Sequence, residues 1–327
     1  AVVEFGGIQP NPRYETLMQA VEIVRREGVG FLLAVGGGSV LDGTKFISAA
    51  THFDGDPWDI LARQAPITRA VPLGAVLTLP ATGSEMNFFA VVTRGETQEK
   101  LAFGNPLVYP RFSVLDPETT LTLPARQIAN GVVDAFVHVL EQYLTYPAEA
   151  PLQDRLAEAI LLTLIEEGPK TLADPADYTA RANLMWCATM ALNGVIAAGV
   201  PQDWATHMIG HEITALHGLD HAQTLAVVLP GTMIARQDTK REKILQFAAR
   251  VWGIREGTPE TRIVAAVEKT REFFESLGVP TRLSDYGVSA DTISVIAGRM
   301  EKRGMTAFGE RGDVTPAKVR EILTLCV

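Results

Sequence analysis

The 327-residue chain holds only two cysteines, Cys187 and Cys326, and only six histidines. Two cysteines cannot build a disulfide framework and lack the spacing of a zinc knuckle, so the cytosol is the expected compartment. Basic residues are also short, 29 Lys and Arg against 38 Asp and Glu, for a net charge of -9. That balance argues against nucleic acid and anionic membranes as partners. No apolar run is suited to spanning a bilayer: LAEAILLTLIEEG breaks at its acids, and ALNGVIAAGVP is too short. Three familiar signatures fail as well. GxGxxG is absent, because Ser39 and Val40 are followed by Leu41. Gly38 and Gly43 have Walker A spacing, but Thr44-Lys45 reverses the required order, which disfavours an NTPase. His211-Glu212 opens a zincin motif that Ala215 fails to close.

What is present reads as a globular chain, 47% hydrophobic and 20% charged, long enough for two domains. It starts at Ala1 with neither an initiator Met nor a signal-peptide pattern. It opens on VVEFGG, a strand signal of the mid-fold kind, so the true beginning is expected to be missing. PNPRYETLMQAVEIVRREG then reads as a helix, with Pro near its start and Gly just after it. FLLAVGGGS reads as a buried strand entering a glycine turn, and VLDGTKFISAAT as the next helix. AVLTLPAT, AVVTRGE, EKLAF and FSVLD carry strand signals. Alternation of this kind predicts a parallel sheet with right-handed crossovers. After about Thr122 the pattern changes to helix-period stretches at 124–146, 151–168, 176–198, 203–217, 221–236, 239–253, 260–276, 290–302 and 315–325, joined by Pro- and Asp-bearing turns. The expected architecture is an α/β nucleotide domain over 1–122, truncated at its N-terminus, followed by an all-helical domain over 123–327.

Five of the six histidines fall in two segments, GVVDAFVHVLEQY and PQDWATHMIGHEITALHGLDH. Asp134 and His138 lie four apart, so a helix puts both on one face, and His207 and His211 repeat that spacing. Asp134, His138, His207 and His221 make a one-carboxylate, three-imidazole set suited to Zn²⁺ or Fe²⁺. With four ligands assigned, His211 is expected beside the metal, either supporting its ligands or handling a proton, rather than as a fifth ligand. His217, before Gly218, reads as a solvated helix-end histidine, and His52 is given no role. In the first domain, Gly36-Gly37-Gly38-Ser39 follows a strand and precedes a helix, where backbone N–H groups favour a phosphate. LTLPATGSEMN ends a second strand in small and hydroxyl residues, where open α/β sheets bind ligands.

GGGSVLDGTK, LPATGSE, the Asp134-x3-His138 pair and the HMIGH…H segment together resemble the iron-activated (group III) alcohol dehydrogenases. ANGVVDAFVH, GVPQDWATHMIGHE and GLDHAQTLA resemble the butanol dehydrogenase and NADPH-dependent aldehyde reductase branch most. The resemblance implies Asp134, His138, His207 and His221 as metal ligands. It implies Gly37, Gly38, Ser39 and Asp42 at the cofactor's pyrophosphate, Thr78, Thr82 and Asn87 as further cofactor contacts, and Lys100 near the ribose–nicotinamide end. It places His211 facing the nicotinamide. Family members begin with a further βα portion that meets the adenosine, so only the branch resemblance favours NADP(H) over NAD(H). The implied activity is reversible hydride transfer between nicotinamide and a short-chain aldehyde or primary alcohol, in a cleft between the domains of a homodimeric enzyme. A dehydroquinate-synthase-like lyase, a metal-dependent hydrolase without nucleotide and a catalytically silent homologue are the alternatives.

Overall fold

The computed structural model describes all residues from Ala1 to Val327, and their contacts divide into two compact units, Ala1–Leu123 and Pro124–Val327. In the first unit the order is α1 (Tyr14–Glu27), β1 (Leu32–Gly37), α2 (Gly38–Ala50), a one-turn α3 (Asp59–Ala62), β2 (Leu73–Leu79), β3 (Phe89–Arg94), β4 (Glu99–Gly104) and β5 (Ser113–Val114). Gly28 closes α1 at φ +63°, a left-handed position that glycine takes without a Cβ penalty.

Strands β1, β2 and β5 form the expected parallel sheet in that order, with Leu32 opposite Leu73, Val35 opposite Val76 and Val76 opposite Val114. Two strand expectations need correction. VVEFGG forms no strand, because no neighbouring segment pairs with it. AVVTRGE and EKLAF become β3 and β4, but pair antiparallel as a hairpin outside the parallel sheet, Phe89 opposite Gly104 and Arg94 opposite Glu99. The four-residue connection between them, Gly95 to Gln98, allows a hairpin, whereas a parallel pair would need a long crossover. The unit's core gathers Leu17, Val21, Phe46, Trp58, Leu73 and Val92, all nearly or completely buried.

The second unit is helical throughout: α4 (Ala125–Tyr143), α5 (Pro151–Ala173), α6 (Tyr178–Ala191), α7 (Ala205–His217), α8 (His221–Ala235), α9 (Arg241–Arg250), α10 (Pro259–Ser276), α11 (Thr292–Lys302) and α12 (Pro316–Thr324). All nine correspond to the stretches read from periodicity. α4 is buried on every side from Ile128 to Tyr143 and packs against α5, α6 and α8. A helix without an exposed stripe belongs in the centre of its layer, and α8, nearly as apolar, packs beside it. Gly231 of α8 lets α12 approach closely: a Cβ there would stand 2.7 Å from the Ile322 carbonyl oxygen and 2.7 Å from Cys326 Sγ. Cys187 and Cys326 are both free and buried in this unit. No helix of the chain is long and apolar enough to cross a membrane.

Candidate metal centre

Three helices deliver the four expected ligands to one point. α4 carries Asp134 and His138 on one face, α7 carries His207 in its first turn, and α8 begins at His221. One ligating atom from each of the four lies within 4.8 Å of all the others. Asp134 Oδ1 stands 3.6 Å from His138 Nε2 and 3.7 Å from His221 Nε2. These separations are too long for hydrogen bonds. They are slightly wider than the ~3.4 Å edge of a tetrahedron whose bonds are about 2.1 Å. Asp134 is buried, and its Oδ1 has no hydrogen-bond partner. A buried carboxylate oxygen left in that condition needs a cation. The donor set therefore fits a divalent ion, and three imidazoles with one carboxylate suit Fe²⁺ and Zn²⁺ alike.

The imidazoles are packed as a group. The His138 and His207 rings lie 4.8 Å apart and nearly parallel, at 15°. His211 is half-buried on the next turn of α7, its ring 5.3 Å from that of His221 and 6.4 Å from that of His207, and it is not among the four donors that converge. His217 Nε2 is instead 2.6 Å from Thr292 Oγ1 at the end of α7, and His52 lies exposed in the other unit.

α7 and α8 both start on carboxyl groups. α7 has no local capping side chain, since Trp204 precedes it at φ +65°. Glu141 of α4 takes that place: Oε1 accepts the Thr206 N–H at 2.8 Å, and Oε2 accepts the His207 N–H at 3.0 Å. Glu141 Oε2 also lies 2.5 Å from His207 Nδ1. At α8 the cap is Asp220, in a capping box with Gln223. Asp220 Oδ2 accepts from Asn130 Nδ2 at 2.8 Å and from Arg126 at 2.6 Å, which ties the start of α8 to α4.

Behind Glu141 sits a buried ionic cluster. Asp203 Oδ2 bonds Arg236 at 2.5 Å and Lys240 at 2.9 Å, and both bases also reach Glu310, at 2.7 and 2.8 Å. The Asp203 N–H donates to the Glu141 carbonyl at 2.9 Å. Burial, and after it the nearby Asp203, push the Glu141 carboxyl up to about 8. A divalent charge on the far nitrogen of His207 would pull it the other way. Burial works to raise Asp203 too, but Lys240 and Arg236 outweigh it and hold that carboxyl below the usual aspartate value.

In the first unit, Gly37 ends β1 and Gly38 begins α2, as the turn signal implies. A Cβ on Gly38 would fall 2.5 Å from Thr82 Cγ2, and one on Gly37 would fall 2.9 Å from Leu79 Cβ. The turn is thus tight against the segment after β2, where Thr78 and Thr82 are half-buried. Ser39 Oγ accepts the Asn11 N–H at 3.2 Å. Asp42 accepts from Ser84 Oγ at 2.7 Å and from the Val91 N–H at 2.9 Å. Asn87 Oδ1 accepts from Lys45 Nζ at 2.9 Å, and Lys100 Nζ donates to Asn11 Oδ1 at 2.8 Å. These bonds tie Asp42 of α2 to β3, Asn87 to α2, and Lys100 of β4 to the segment before α1. Lys45 is completely buried and also donates to the Phe89 carbonyl at 2.8 Å, while burial lowers its ammonium pKa to about 8.

Residues 1–117 match the iron-containing alcohol dehydrogenase family, and residues 128–325 match the C-terminal domain of the Fe-containing alcohol dehydrogenases. The chain belongs to the iron-containing alcohol dehydrogenase family. The NADPH-dependent aldehyde reductase YqhD of Escherichia coli is 62% identical over 96% of this chain and 82% of its own length. The probable NADH-dependent butanol dehydrogenase 1 of Bacillus subtilis is 40% identical over 98% of this chain and 83% of its own. The crystal structure of E. coli YqhD superposes with a TM-score of 0.98 over 99% of this chain and 84% of that one, at 59% identity. Among iron-containing alcohol dehydrogenases the expected fold class holds, an α/β unit followed by a helical one. The lyase and the nucleotide-free hydrolase drop out with that membership.

The sequence pattern missed Glu141, Asp203, Asn130 and Lys45. Glu141 was within reach, since it continues the Asp134–His138 face at the seventh position. An acid on an otherwise apolar helix face is a signal for a buried partner.

Proposed function

We propose that this chain is a metal-dependent, NAD(P)H-linked alcohol dehydrogenase acting mainly as a reductase of short-chain aldehydes, with primary alcohols as its reverse substrates. The convergence of Asp134, His138, His207 and His221 supports this reading most directly. Those four residues would hold one Fe²⁺ or Zn²⁺. Residues 1–122 would be the dinucleotide-binding domain and 123–327 the metal-binding, catalytic one. NADP(H) is favoured over NAD(H), because the relative at 62% identity is named NADPH-dependent and the one at 40% NADH-dependent.

When bound, the ion supplies Lewis acidity for a carbonyl oxygen and the nicotinamide supplies hydride. Gly37 and Gly38 offer backbone without side chains at the end of β1, where the pyrophosphate would approach, and the Ser39 hydroxyl adds a polar group. Thr78, Thr82 and Asn87, at and after the end of the neighbouring strand, would be further cofactor contacts, Asp42 would lie at the pyrophosphate turn, and Lys100 would lie near the ribose–nicotinamide end. His211, half-buried beside the imidazole cluster, would carry the proton between the substrate oxygen and solvent. The enzyme is proposed to work in the cytoplasm as a homodimer.

The test is NADPH oxidation by the purified chain with butanal, after loading with Fe²⁺ or Zn²⁺. Turnover with either ion, faster with NADPH than NADH, is expected. A protein that binds ion and NADPH yet reduces no aldehyde would sink the reading.

A further inference from the structure

Glu141 is named by no feature of the ligand set, yet it makes three contacts to the first turn of α7. Its Oε1 takes the Thr206 N–H at 2.8 Å, and its Oε2 takes the His207 N–H at 3.0 Å and faces His207 Nδ1 at 2.5 Å. Glu141 is 3% exposed, and its backbone carbonyl is bonded as well, to the Asp203 N–H. Sixty-six residues separate it from His207, so no local helix geometry brings the two together. Asp134, His138 and Glu141 share one face of α4. One rigid helix therefore carries two ligands and the group that grips a third.

We propose that Glu141 is a positioning residue for the metal. It fixes the imidazole of His207 through Nδ1 and the start of α7 through two backbone N–H groups, so that Nε2 is held toward Asp134, His138 and His221. A hydrogen bond at Nδ1 settles which nitrogen carries the hydrogen, stops ring rotation and makes the other nitrogen a better donor. Glutamine cannot replace this arrangement. Its amide has one acceptor oxygen, so its NH₂ group must face either the Thr206 N–H or the His207 N–H and Nδ1. The inference rests on the metal reading of the four donors, and the experiment separates the two.

Co²⁺ is the probe, because its visible absorption reports ligand geometry, and Zn²⁺ affinity is read by competition with a chelator. Both are measured on the full chain, in wild type, Glu141→Gln, Glu141→Asp and Asp203→Asn. Glu141→Gln is expected to weaken Zn²⁺ binding about 10–100-fold, the usual cost of losing a partner of a ligating histidine, and to shift the Co²⁺ bands. Glu141→Asp keeps the carboxyl group but withdraws it by one methylene, and should fall between Gln and wild type. Asp203→Asn breaks ion pairs behind Glu141 without touching the imidazole. It should lower the thermal midpoint while leaving the Co²⁺ spectrum unchanged and Zn²⁺ affinity within a few-fold of wild type.

Unchanged affinity and spectrum in Glu141→Gln would overturn the proposal. Equal losses in Asp203→Asn would overturn it too, by showing that general loosening of the unit is enough. Should the Gln variant not fold, wild-type affinity in Glu141→Asp would overturn it by itself. A wild-type chain that binds neither ion would remove the metal reading, and this one with it.

Discussion

The two units would build their proposed sites by opposite means. In Ala1–Leu123 the site rests on what is absent: glycines at a strand end, with the nearest side chains packed against them. In Pro124–Val327 it rests on four side chains from three helices, the starts of α7 and α8 each tied to α4 through a carboxyl group. A cradle of backbone fails when an atom is added to it. A constellation of side chains fails when one is removed. The same kind of substitution therefore has different costs in the two units, and the differences can be measured.

The largest effect is expected for His207→Ala. Removing one of four donors should abolish both bound ion and turnover while helicity stays near wild type. Metal analysis alongside circular dichroism checks this, and full metal stoichiometry in the variant would break the assignment. Next comes His211→Ala. It should keep ion and cofactor yet lose on the order of 10²-fold in kcat, a typical general acid–base contribution, as read by steady-state kinetics with NADPH and butanal. Loss of the ion would make His211 a ligand and remove another histidine from the set.

Gly38→Ala probes the opposite logic. The added Cβ meets Thr82 at 2.5 Å, so the cost should be ~1–3 kcal/mol of overpacking together with weaker NADPH binding, while metal content stays normal. Adding Thr82→Ala should recover part of the stability. If it recovers none in a thermal melt, contact with Thr82 is not what the glycine avoids.

The smallest effect is a pH slope. Lys45 is depressed from the ordinary lysine value of 10.5 to about 8 by burial. Between those values the unfolded chain holds a proton that the folded one has released, so this lysine makes stability rise with pH across that window. Lys45→Met should lack that rise. Hydrogen exchange at pH 8 and pH 10, compared between the two proteins, reads it in the first unit alone. Asp203 acts at the other end of the scale. Its depressed carboxyl stabilises the second unit above the unfolded value, and that contribution fades as acid takes the pH down through the folded value.

Helices were legible to the extent that their signals are local. Periodicity, Pro starts and Gly stops lie within the segment itself, so α4 (Ala125–Tyr143) and α7 (Ala205–His217) could be placed from sequence. Strands are a property of pairs. VVEFGG has the composition of a strand but no neighbour, and FSVLD pairs only through Ser113 and Val114. The four converging donors were legible because histidine is scarce and the i, i+4 spacing is geometric. Glu141 and Lys45 were not, since their roles come from partners 66 and 42 residues away. A buried charge looks in sequence like any surface one until its partner is found.

Both thiols lie in the helical unit, Cys187 at 8% exposure and Cys326 fully enclosed, and burial pushes them up to about 11 and about 12. A disulfide dye added to the native protein should therefore find almost nothing to label, because it needs an accessible thiolate. Labelling becomes a clock for the opening of one unit, with no probe installed and no signal from the other. Cys326 follows α12, held on α8 through Gly231, so its labelling times the release of the chain's last helix. Cys187 sits in α6, so the order in which the two sulfurs react would tell whether the bundle frays from its end or opens as one body.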